Sequence, residues 1–406
     1  MTRSPLLPVE DALARILASA GRPLESENVA LSDALGRRLA DDLAARRTQP
    51  PCAVSAMDGY AVRAADIASV PARLKVLGVS AAGHGFAGSV GPGEAARIFT
   101  GAPVPDGADT ILIQEDARAE DGFVTALASE PPGRYVRRAG LDFAAGDVLL
   151  KAGRRMGPAE LALAAAMNHA TLSVVRRPRV AILATGDELV PPGQEPGPGQ
   201  IVASNNFAVG AYARQAGAEV IDLGIAGDDF AALEASIRRA RDLEADVLVT
   251  LGGASVGDHD LVQTALTREG MELGFWRIAM RPGKPFMHGR IGDMRIVGLP
   301  GNPVSAIVCA VLFLVPLVRA LSGDPDAGVD ATRPAVLGAD LPGNDQRQDY
   351  LRATLAGVEE GKAVVTAFTR QDSSMLGILA RAHALIVRPP HAPPAKAGEP
   401  CRYIPL

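Results

Sequence analysis

Between residues 178 and 323 the sequence alternates short apolar runs with segments of helical periodicity, and this alternation is the strongest constraint on the fold. The apolar runs cover residues 180–183, 220–223, 247–251 and 295–299. Such alternation is typical of β-α-β units that build a parallel sheet with helices on its faces. The sequence therefore predicts a central doubly wound parallel-sheet domain over residues 178–327.

The flanking segments have other patterns. Residues 5–45 place leucine and isoleucine at helical spacing, which predicts two short helices around Leu13 and Leu35, and a Pro158-started, alanine-rich segment predicts a third. Short β-type runs separated by glycine and proline fill the next part of the chain and return after Asp330. We expect four domains: a split N-terminal linker domain (1–45 and 147–177), a β-rich insert domain (46–146), the α/β domain (178–327) and a small C-terminal β-barrel-like domain (328–406).

Length and charge limit the functional classes. A chain of 406 residues exceeds the size of most single cores, and a net charge of -5 gives no long-range attraction for nucleic acid. Cys52, Cys309 and Cys401 form no C-x-x-C pair, which favours a reducing compartment, and the N-terminus lacks a secretory signal. The apolar run 306–318 is interrupted by Pro316 and falls short of the ~20 residues of a membrane span, so we expect a buried helix. A cytoplasmic protein with neither nucleic-acid nor membrane partners is predicted.

Three glycine-containing loops follow predicted strands, at residues 185–188, 252–257 and 298–303. Ligands of open α/β sheets bind beyond the carboxyl ends of the strands, so we expect these loops to converge on one crevice. Glycines such as Gly252 and Gly253 let backbone N–H groups approach an anion, and the helix after each loop adds its positive end. One such loop alone would be a tight turn, but three together favour a site for phosphate or a similar oxyanion.

Carboxylates lie on the same rim, at Asp187, Glu188, Asp258 and Asp260. Hard oxygen ligands beside phosphate-binding loops suit Mg²⁺. Helix capping is the alternative, and for Asp187 and Asp258 it explains the residue at least as well.

A stiff turn at residues 280–286 carries two cations, Arg281 and Lys284, between two prolines and a glycine. An arginine fork and a lysine point charge can together hold a small oxyanion. The alternative is a solvated basic turn.

Seven motifs stand in a characteristic order along the chain. They are SAMDGYAVR (55–63), IFTGAPVP (98–105), RAGLD (138–142), TGDEL (185–189), GGASVGDHD (252–260), RPGKP (281–285) and GLPGNPVS (298–305). In this order and spacing the chain resembles the molybdopterin molybdenumtransferase (MoeA) family over nearly its whole length. The expected four domains also match that family's layout.

The resemblance implies a transferase in which adenylylated molybdopterin and molybdate react, with Mg²⁺, to give molybdenum cofactor and AMP. It also implies a homodimer whose site is completed by the β insert of the second chain. The implied catalytic or binding residues are Asp58, Thr100, Asp142, Glu188 and Asp260, and the implied metal ligands are Asp187, Glu188 and Asp260. The implied substrate-binding residues are Gly252, Gly253, Ser255, Arg281, Lys284, Pro285, Asn302, Ser305, Arg352 and Ser374. The implied molybdate pocket is formed by Arg281, Lys284, Pro285, Ser305, Arg352 and Ser374.

Departures from the family pattern keep two other functions open. Arg281 stands where lysine is usual, and Ala203 stands where aspartate is common. One rival is the preceding step, adenylylation of molybdopterin, because the α/β domain resembles that enzyme; the extra domains weigh against it. The other is a paralogue that binds molybdopterin without turnover, against which the retained Glu188, Asp260 and Lys284 weigh.

Overall fold

The computed structural model describes residues 6–253, 261–359 and 362–406, and it divides into two compact units. One comprises Met1–Glu27, Gly36–Ala40 and Val174–Leu406, and the other comprises Asn28–Leu35 and Asp41–Ser173. The chain therefore leaves the first unit twice and returns to it twice. The boundaries of the four expected domains stay a prediction.

A six-stranded sheet forms the centre of the first unit. Its strands lie in the order Glu219–Ala226, Arg179–Thr185, Val247–Leu251, Met294–Leu299, Met287–Ile291 and Glu272–Trp276. The first four are parallel, and the last two are added antiparallel at one edge. The α-helices of this region are Asn205–Gln215, Phe230–Asp242, Leu261–Arg268 and the apolar helix that begins at Pro303. All four predicted strands are confirmed.

Both faces of this sheet are buried, which explains why its strands are continuous apolar runs. Val247 and Val249 belong to one hydrophobic cluster, whereas Leu248 belongs to another on the opposite face. Successive side chains of a strand point to opposite faces, so a strand covered by helices on both sides has no polar face. The doubly wound prediction is confirmed.

The apolar run predicted as a buried helix is the helical segment Pro303–Leu321, of 19 residues. By length and composition it could span a membrane, but 67% of its most apolar stretch is buried inside the protein. Residues Ala310–Leu314 form a π-helical turn between two α-helical parts. Pro316 lies two residues beyond this turn and has no N–H to donate to a carbonyl of the preceding turn, which accounts for the widening there.

A closed five-stranded barrel forms the C-terminal region, as the sequence predicted. Its strands are Arg333–Leu337, Gln348–Glu359, Lys362–Ala367, Ala384–Arg388 and Pro400–Pro405, with a short helix at Leu376–Leu379. The long strand Gln348–Glu359 pairs on both sides and so closes the barrel. A short strand of the α/β region, Met280–Arg281, also pairs with it in parallel. The RPGKP turn is thereby attached to the barrel.

The second unit is built around another six-stranded sheet. Its strands lie in the order Thr110–Ile113, Gly59–Val62, Glu94–Ile98, Ala72–Ser80, Phe123–Ala126 and Ala117–Glu120. Within this unit, the short strand Leu43–Ala44 pairs with Val148–Leu150, and Val54–Ser55 pairs with Val136–Arg137. Within the first unit, Leu189–Val190 pairs with Ile201–Val202. The β-rich character predicted for residues 46–146 is confirmed.

Of the two helices predicted in residues 5–45, one is confirmed and the other is wrong. Val9–Ala20 is an α-helix, and so is the proline-started segment Pro158–Ala166. The segment around Leu35 instead contains a strand, Ser26–Ala30, and a single 3₁₀ turn, Leu31–Asp33. The strand pairs with residues 171–175, and the Leu31 N–H donates to the Ala170 carbonyl oxygen at 3.0 Å. This pairing with a distant segment overrides the local helical spacing.

Asp246 is a buried charge on which the first unit depends. Its carboxylate is 8% exposed and accepts hydrogen bonds from both terminal nitrogens of Arg176, at 2.7 and 2.8 Å. It also accepts the Arg179 backbone N–H at 2.7 Å. We predict that Asp246→Ala lowers the free energy of unfolding by about 3 kcal/mol, because it leaves these donors without their acceptor. Urea denaturation measures the loss.

The control for this variant is Glu244→Ala, which removes a nearby ion pair with the Arg179 side chain. The Glu244 side chain is 81% exposed, and an exposed pair of this kind contributes less than about 1 kcal/mol. Equal losses in the two variants would contradict the special role of Asp246.

Candidate functional site

Three loops meet at the carboxyl ends of three neighbouring parallel strands. The Gly252 N–H donates to the Leu299 carbonyl oxygen at 3.1 Å. A Cβ atom on Gly252 would lie 2.8 Å from the Thr185 carbonyl oxygen, and Gly252 has a φ of +105°. Only glycine fits this contact, because any side chain there would clash with backbone. The predicted convergence is confirmed.

The loops enclose a cavity of about 800 Å³ in the first unit. It is lined by glycine backbone, by small polar side chains and by prolines. The lining residues are Ala184, Thr185, Gly186, Glu188, Leu189, Ile201, Val202, Ala203, Ser204, Asn205, Asn206, Asp228, Leu251, Gly252, Gly253, Leu261, Val262, Pro285, Pro300, Gly301, Asn302, Pro303 and Ser374. A cavity of this size suits a nucleotide-sized ligand.

The cavity brings together some of the predicted site residues and leaves others outside its wall. Those in the wall are Glu188, Gly252, Gly253, Pro285, Asn302 and Ser374. Those of the first unit that do not line it are Asp187, Arg281, Lys284, Ser305 and Arg352. Ser255, Asp258 and Asp260 lie outside the described residues.

Glu188 is held at the cavity by a two-stranded ribbon. Its carbonyl oxygen accepts the Ile201 N–H at 2.7 Å, and the chain continues into the paired strands Leu189–Val190 and Ile201–Val202. Its carboxylate folds over Gly186, where a Cβ would lie 2.3 Å from the Glu188 Oε2. The helix expected directly after this loop is replaced by the ribbon, and the helix Asn205–Gln215 begins only beyond it.

Asp228 is a cavity residue that sequence reasoning missed. It follows the strand Glu219–Ala226 at the same sheet edge, and its backbone N–H donates to the Asp187 Oδ1 at 3.0 Å. Its neighbour Asp229 caps the next helix by accepting the Ala232 N–H at 2.9 Å. The signal was the acidic pair Asp228-Asp229 shortly after the predicted strand 220–223. Asp187 therefore orders the Asp228 turn, while Asp228 itself faces the cavity.

Oxygen ligands for a divalent cation are available in the cavity wall. Glu188 and Asp228 both line it, and the buried Asn206 Oδ1 in the same wall has no hydrogen-bond partner in the structure. Carboxylate and amide oxygens are the ligands that Mg²⁺ takes in proteins. Within the described ranges, 6–253, 261–359 and 362–406, no three acidic, histidine or cysteine side chains form a preformed metal cluster. The donors present fit Mg²⁺ held in part by a substrate.

The barrel residues predicted for the oxyanion pocket have well-defined partners. Arg352 is 1% exposed; its Nη1 donates to the Asp372 carbonyl oxygen at 2.8 Å, and its Nε donates to the Gln371 side chain at 3.2 Å. Burial lowers the pKa of Arg352. The Ser374 hydroxyl donates to the Asp372 Oδ1 at 2.7 Å, which orients Ser374 in the cavity wall. Ser305 is buried in the apolar helix.

Two of the predicted residues of the second unit form one cluster. The Asp58 Oδ1 accepts the Thr100 backbone N–H at 2.7 Å and the Thr100 hydroxyl at 2.8 Å. The hydrogen bond from the Thr100 backbone N–H, and then that from its hydroxyl, lower the pKa of Asp58 below its ordinary value. Asp142 is exposed, and its backbone N–H donates to the Gln49 carbonyl oxygen at 3.1 Å.

Comparison with known proteins covers nearly the whole chain. Models of the MoeA N-terminal region (domains I and II), a probable molybdopterin binding domain and the MoeA C-terminal region (domain IV) match residues 7–168, 181–320 and 334–406. A Haemophilus influenzae protein named molybdopterin molybdenumtransferase is 34% identical over 395 residues, or 97% of each chain. A Bacillus subtilis protein of the same name is 36% identical over 95% of this chain and 91% of its own. This chain belongs to the molybdopterin molybdenumtransferase family.

A solved structure of a molybdopterin biosynthesis MoeA protein shares the fold of this chain over almost its whole length. The molybdopterin biosynthesis MoeA protein of Pyrococcus horikoshii is 32% identical, covers 99% of both chains and superposes with a TM-score of 0.84. The family resemblance and the predicted fold class are therefore confirmed.

Arg281 stands at a position where lysine is usual in the molybdopterin molybdenumtransferase family. In this chain it is not a free cation. Its guanidinium forms a two-pronged ion pair with Asp349, a barrel carboxylate that is 3% exposed. Lys284 in the same turn is half-buried and has no ion-pair partner in the described part of the chain. Of the two cations of this turn, Lys284 therefore retains the charge that an oxyanion would need.

Gly252 provides a test of the loop convergence. We predict that Gly252→Ala lowers the free energy of unfolding by about 3 kcal/mol, because its Cβ collides with the Thr185 carbonyl oxygen in addition to the positive φ. Urea denaturation measures this. The matched control is Gly292→Ala, where φ is +57° but no atom lies within 4 Å of the new Cβ, so that only about 1 kcal/mol is lost. Similar losses at both glycines would refute the close contact.

Proposed function

We propose that the chain catalyses molybdenum insertion: molybdate and adenylylated molybdopterin react, and molybdenum cofactor and AMP are released. The observation that carries this proposal is the glycine-lined cavity at the strand ends, with Glu188 in its wall. It occurs in a chain similar over 97% of its length to a relative named for this transfer. Neither rival reading is favoured by a feature of the described residues.

The cavity is suited to the phosphate-bearing part of the substrate. Gly252 and Gly253 present backbone to it without side chains, and the helix Asn205–Gln215 begins in its wall. Backbone N–H groups and a helix N-terminus attract anions by their partial positive charge. The phosphoanhydride of an adenylylated substrate is an anion of the right kind.

Mg²⁺ is the metal that we propose for this cavity. Glu188 and Asp228 would hold it, with the substrate phosphates completing its oxygen ligands. When bound, the ion would neutralise charge on the phosphoanhydride as AMP leaves. Asp187 supports the ion indirectly, since it fixes the Asp228 turn. Asp260 keeps its implied place in this set as a proposal.

Lys284 is the residue that we propose as the main cation for molybdate. Arg281 is engaged by Asp349, whereas Lys284 carries a charge that its described surroundings do not pair. A compact ammonium can hold a tetrahedral oxyanion as a point charge. Ser374 and Pro285 lie in the adjoining cavity wall, and Arg352 contributes positive charge from the barrel.

AMP release tests the proposed reaction. We expect the intact protein to release AMP from adenylylated molybdopterin only when Mg²⁺ and molybdate are both present. Glu188→Gln should lower kcat/KM roughly 100-fold, because the amide keeps the shape but loses the charge that binds the cation. Quantifying AMP by chromatography measures both.

The control is Glu195→Gln, an exposed glutamate in the loop that joins the two strands of the same ribbon and lies outside the cavity wall. It should retain full activity. Tight binding of adenylylated molybdopterin without any AMP release would favour the non-catalytic paralogue instead.

A homodimer in the cytoplasm is the assembly that we propose. The resemblance implies that Asp58, Thr100 and Asp142 of one chain complete the site of the other. Three free cysteines agree with a reducing compartment. The mass of one chain is 42.0 kDa, and sedimentation equilibrium should therefore give twice that mass. A stable monomer with full AMP release would refute the dimer while leaving the reaction intact.

A further inference from the structure

The Asp58 carboxylate is held at one oxygen and open at the other. Oδ1 accepts both hydrogen bonds from Thr100, whereas Oδ2 accepts none from the described part of the chain. The Asp58 carbonyl oxygen is also fixed, because it accepts the Gln114 backbone N–H at 3.1 Å. The turn thus aims a single free carboxylate oxygen at its surroundings.

Arg97 links the segments that hold this turn. Its Nη1 donates to the Gly59 carbonyl oxygen at 2.8 Å, directly after Asp58 in the chain. Its Nη2 donates to the Gln114 side chain at 2.9 Å, in the residue whose backbone fixes Asp58. One guanidinium therefore ties together two of the segments that set the position of Asp58.

Two aromatic rings hold the Arg97 guanidinium in place. Its Cζ lies 5.1 Å from the centre of the Tyr60 ring and 4.8 Å from the centre of the Phe99 ring. Phe99 directly precedes Thr100, so this contact reaches the third segment around Asp58. Cation–π contacts at these distances are attractive and fix the plane of the guanidinium.

Arg97 holds the turn without consuming the Asp58 charge. The described residues give it no ion pair, in contrast to Arg281, whose guanidinium is taken up by Asp349. Carbonyl, amide and ring contacts satisfy Arg97, while Asp58 keeps its free oxygen. Such an arrangement fixes a carboxylate and leaves it available to a ligand.

We propose that Arg97 is a positioning residue for Asp58, acting through Gly59, Gln114 and Phe99 to aim the free Oδ2 at the substrate. This inference rests on the proposed function, in which Asp58 takes part in molybdenum transfer. Arg97 itself touches no substrate.

A double-mutant cycle in the intact homodimer tests this role, with molybdate-dependent AMP release as the readout. Arg97→Met keeps the apolar stem but loses the fork, and we expect kcat to fall about 10-fold with little change in KM. Asp58→Asn should lower kcat at least as much. Combining both should cost no more than Asp58→Asn alone, because the two residues act as one unit. Losses that multiply would overturn the proposal.

Two further variants separate positioning from general damage to the fold. Arg73→Met removes a guanidinium that stacks 4.0 Å over the Phe123 ring in the same sheet, away from Asp58, and it should leave kcat unchanged. Arg97→Lys keeps the charge but loses the planar fork whose two nitrogens bond Gly59 and Gln114, so it should be as slow as Arg97→Met. Full activity of Arg97→Lys would show that charge alone suffices and would overturn the proposal.

The same series distinguishes failure of this inference from failure of the proposed function. If the unmodified protein releases no AMP, the proposed function fails. If Asp58→Asn is slow but Arg97→Met is as fast as the unmodified protein, only the positioning role fails.

Discussion

The hydrogen bond from the Gly252 N–H to the Leu299 carbonyl oxygen joins two strand ends at the point where the candidate site is built. A third strand end, at Thr185, comes so close to Gly252 that a side chain there would collide with its backbone. The cavity depends on this contact, because its wall is made of the loops that the contact holds together. A parallel sheet brings such loops to one edge, and the glycine lets them touch.

The strands of the parallel sheet could be predicted because burial on both faces makes them continuous apolar runs. The run 247–251 coincides with the observed strand. Around Leu35 the same reasoning failed. The neighbouring strand Ser26–Ala30 pairs with residues 171–175, and local periodicity contains no information about so distant a partner. Local patterns thus succeed where an element buries its own face and fail where a distant strand decides.

Individual site residues were harder to predict than the site itself. Glycine loops after strands indicated the cavity. Asp228 was missed because its place in the cavity wall depends on which strands are neighbours in the sheet. Arg281 was expected as a cation for an oxyanion, but its partner Asp349 lies 68 residues away in another domain. Motif resemblance supplied the substrate class, which no distance or charge in the chain could have specified.

The ion pair between Arg281 and Asp349 couples the basic turn to the barrel, so that the residue at one position affects what fits at the other. The two backbones are hydrogen-bonded in register at these residues, and Asp349 is almost fully buried. A chimera that combined the turn of a lysine-bearing relative with this barrel would leave a buried carboxylate facing a partner without a fork. In such a chimera a single ammonium contact would replace the two-pronged ion pair that joins the turn to the barrel.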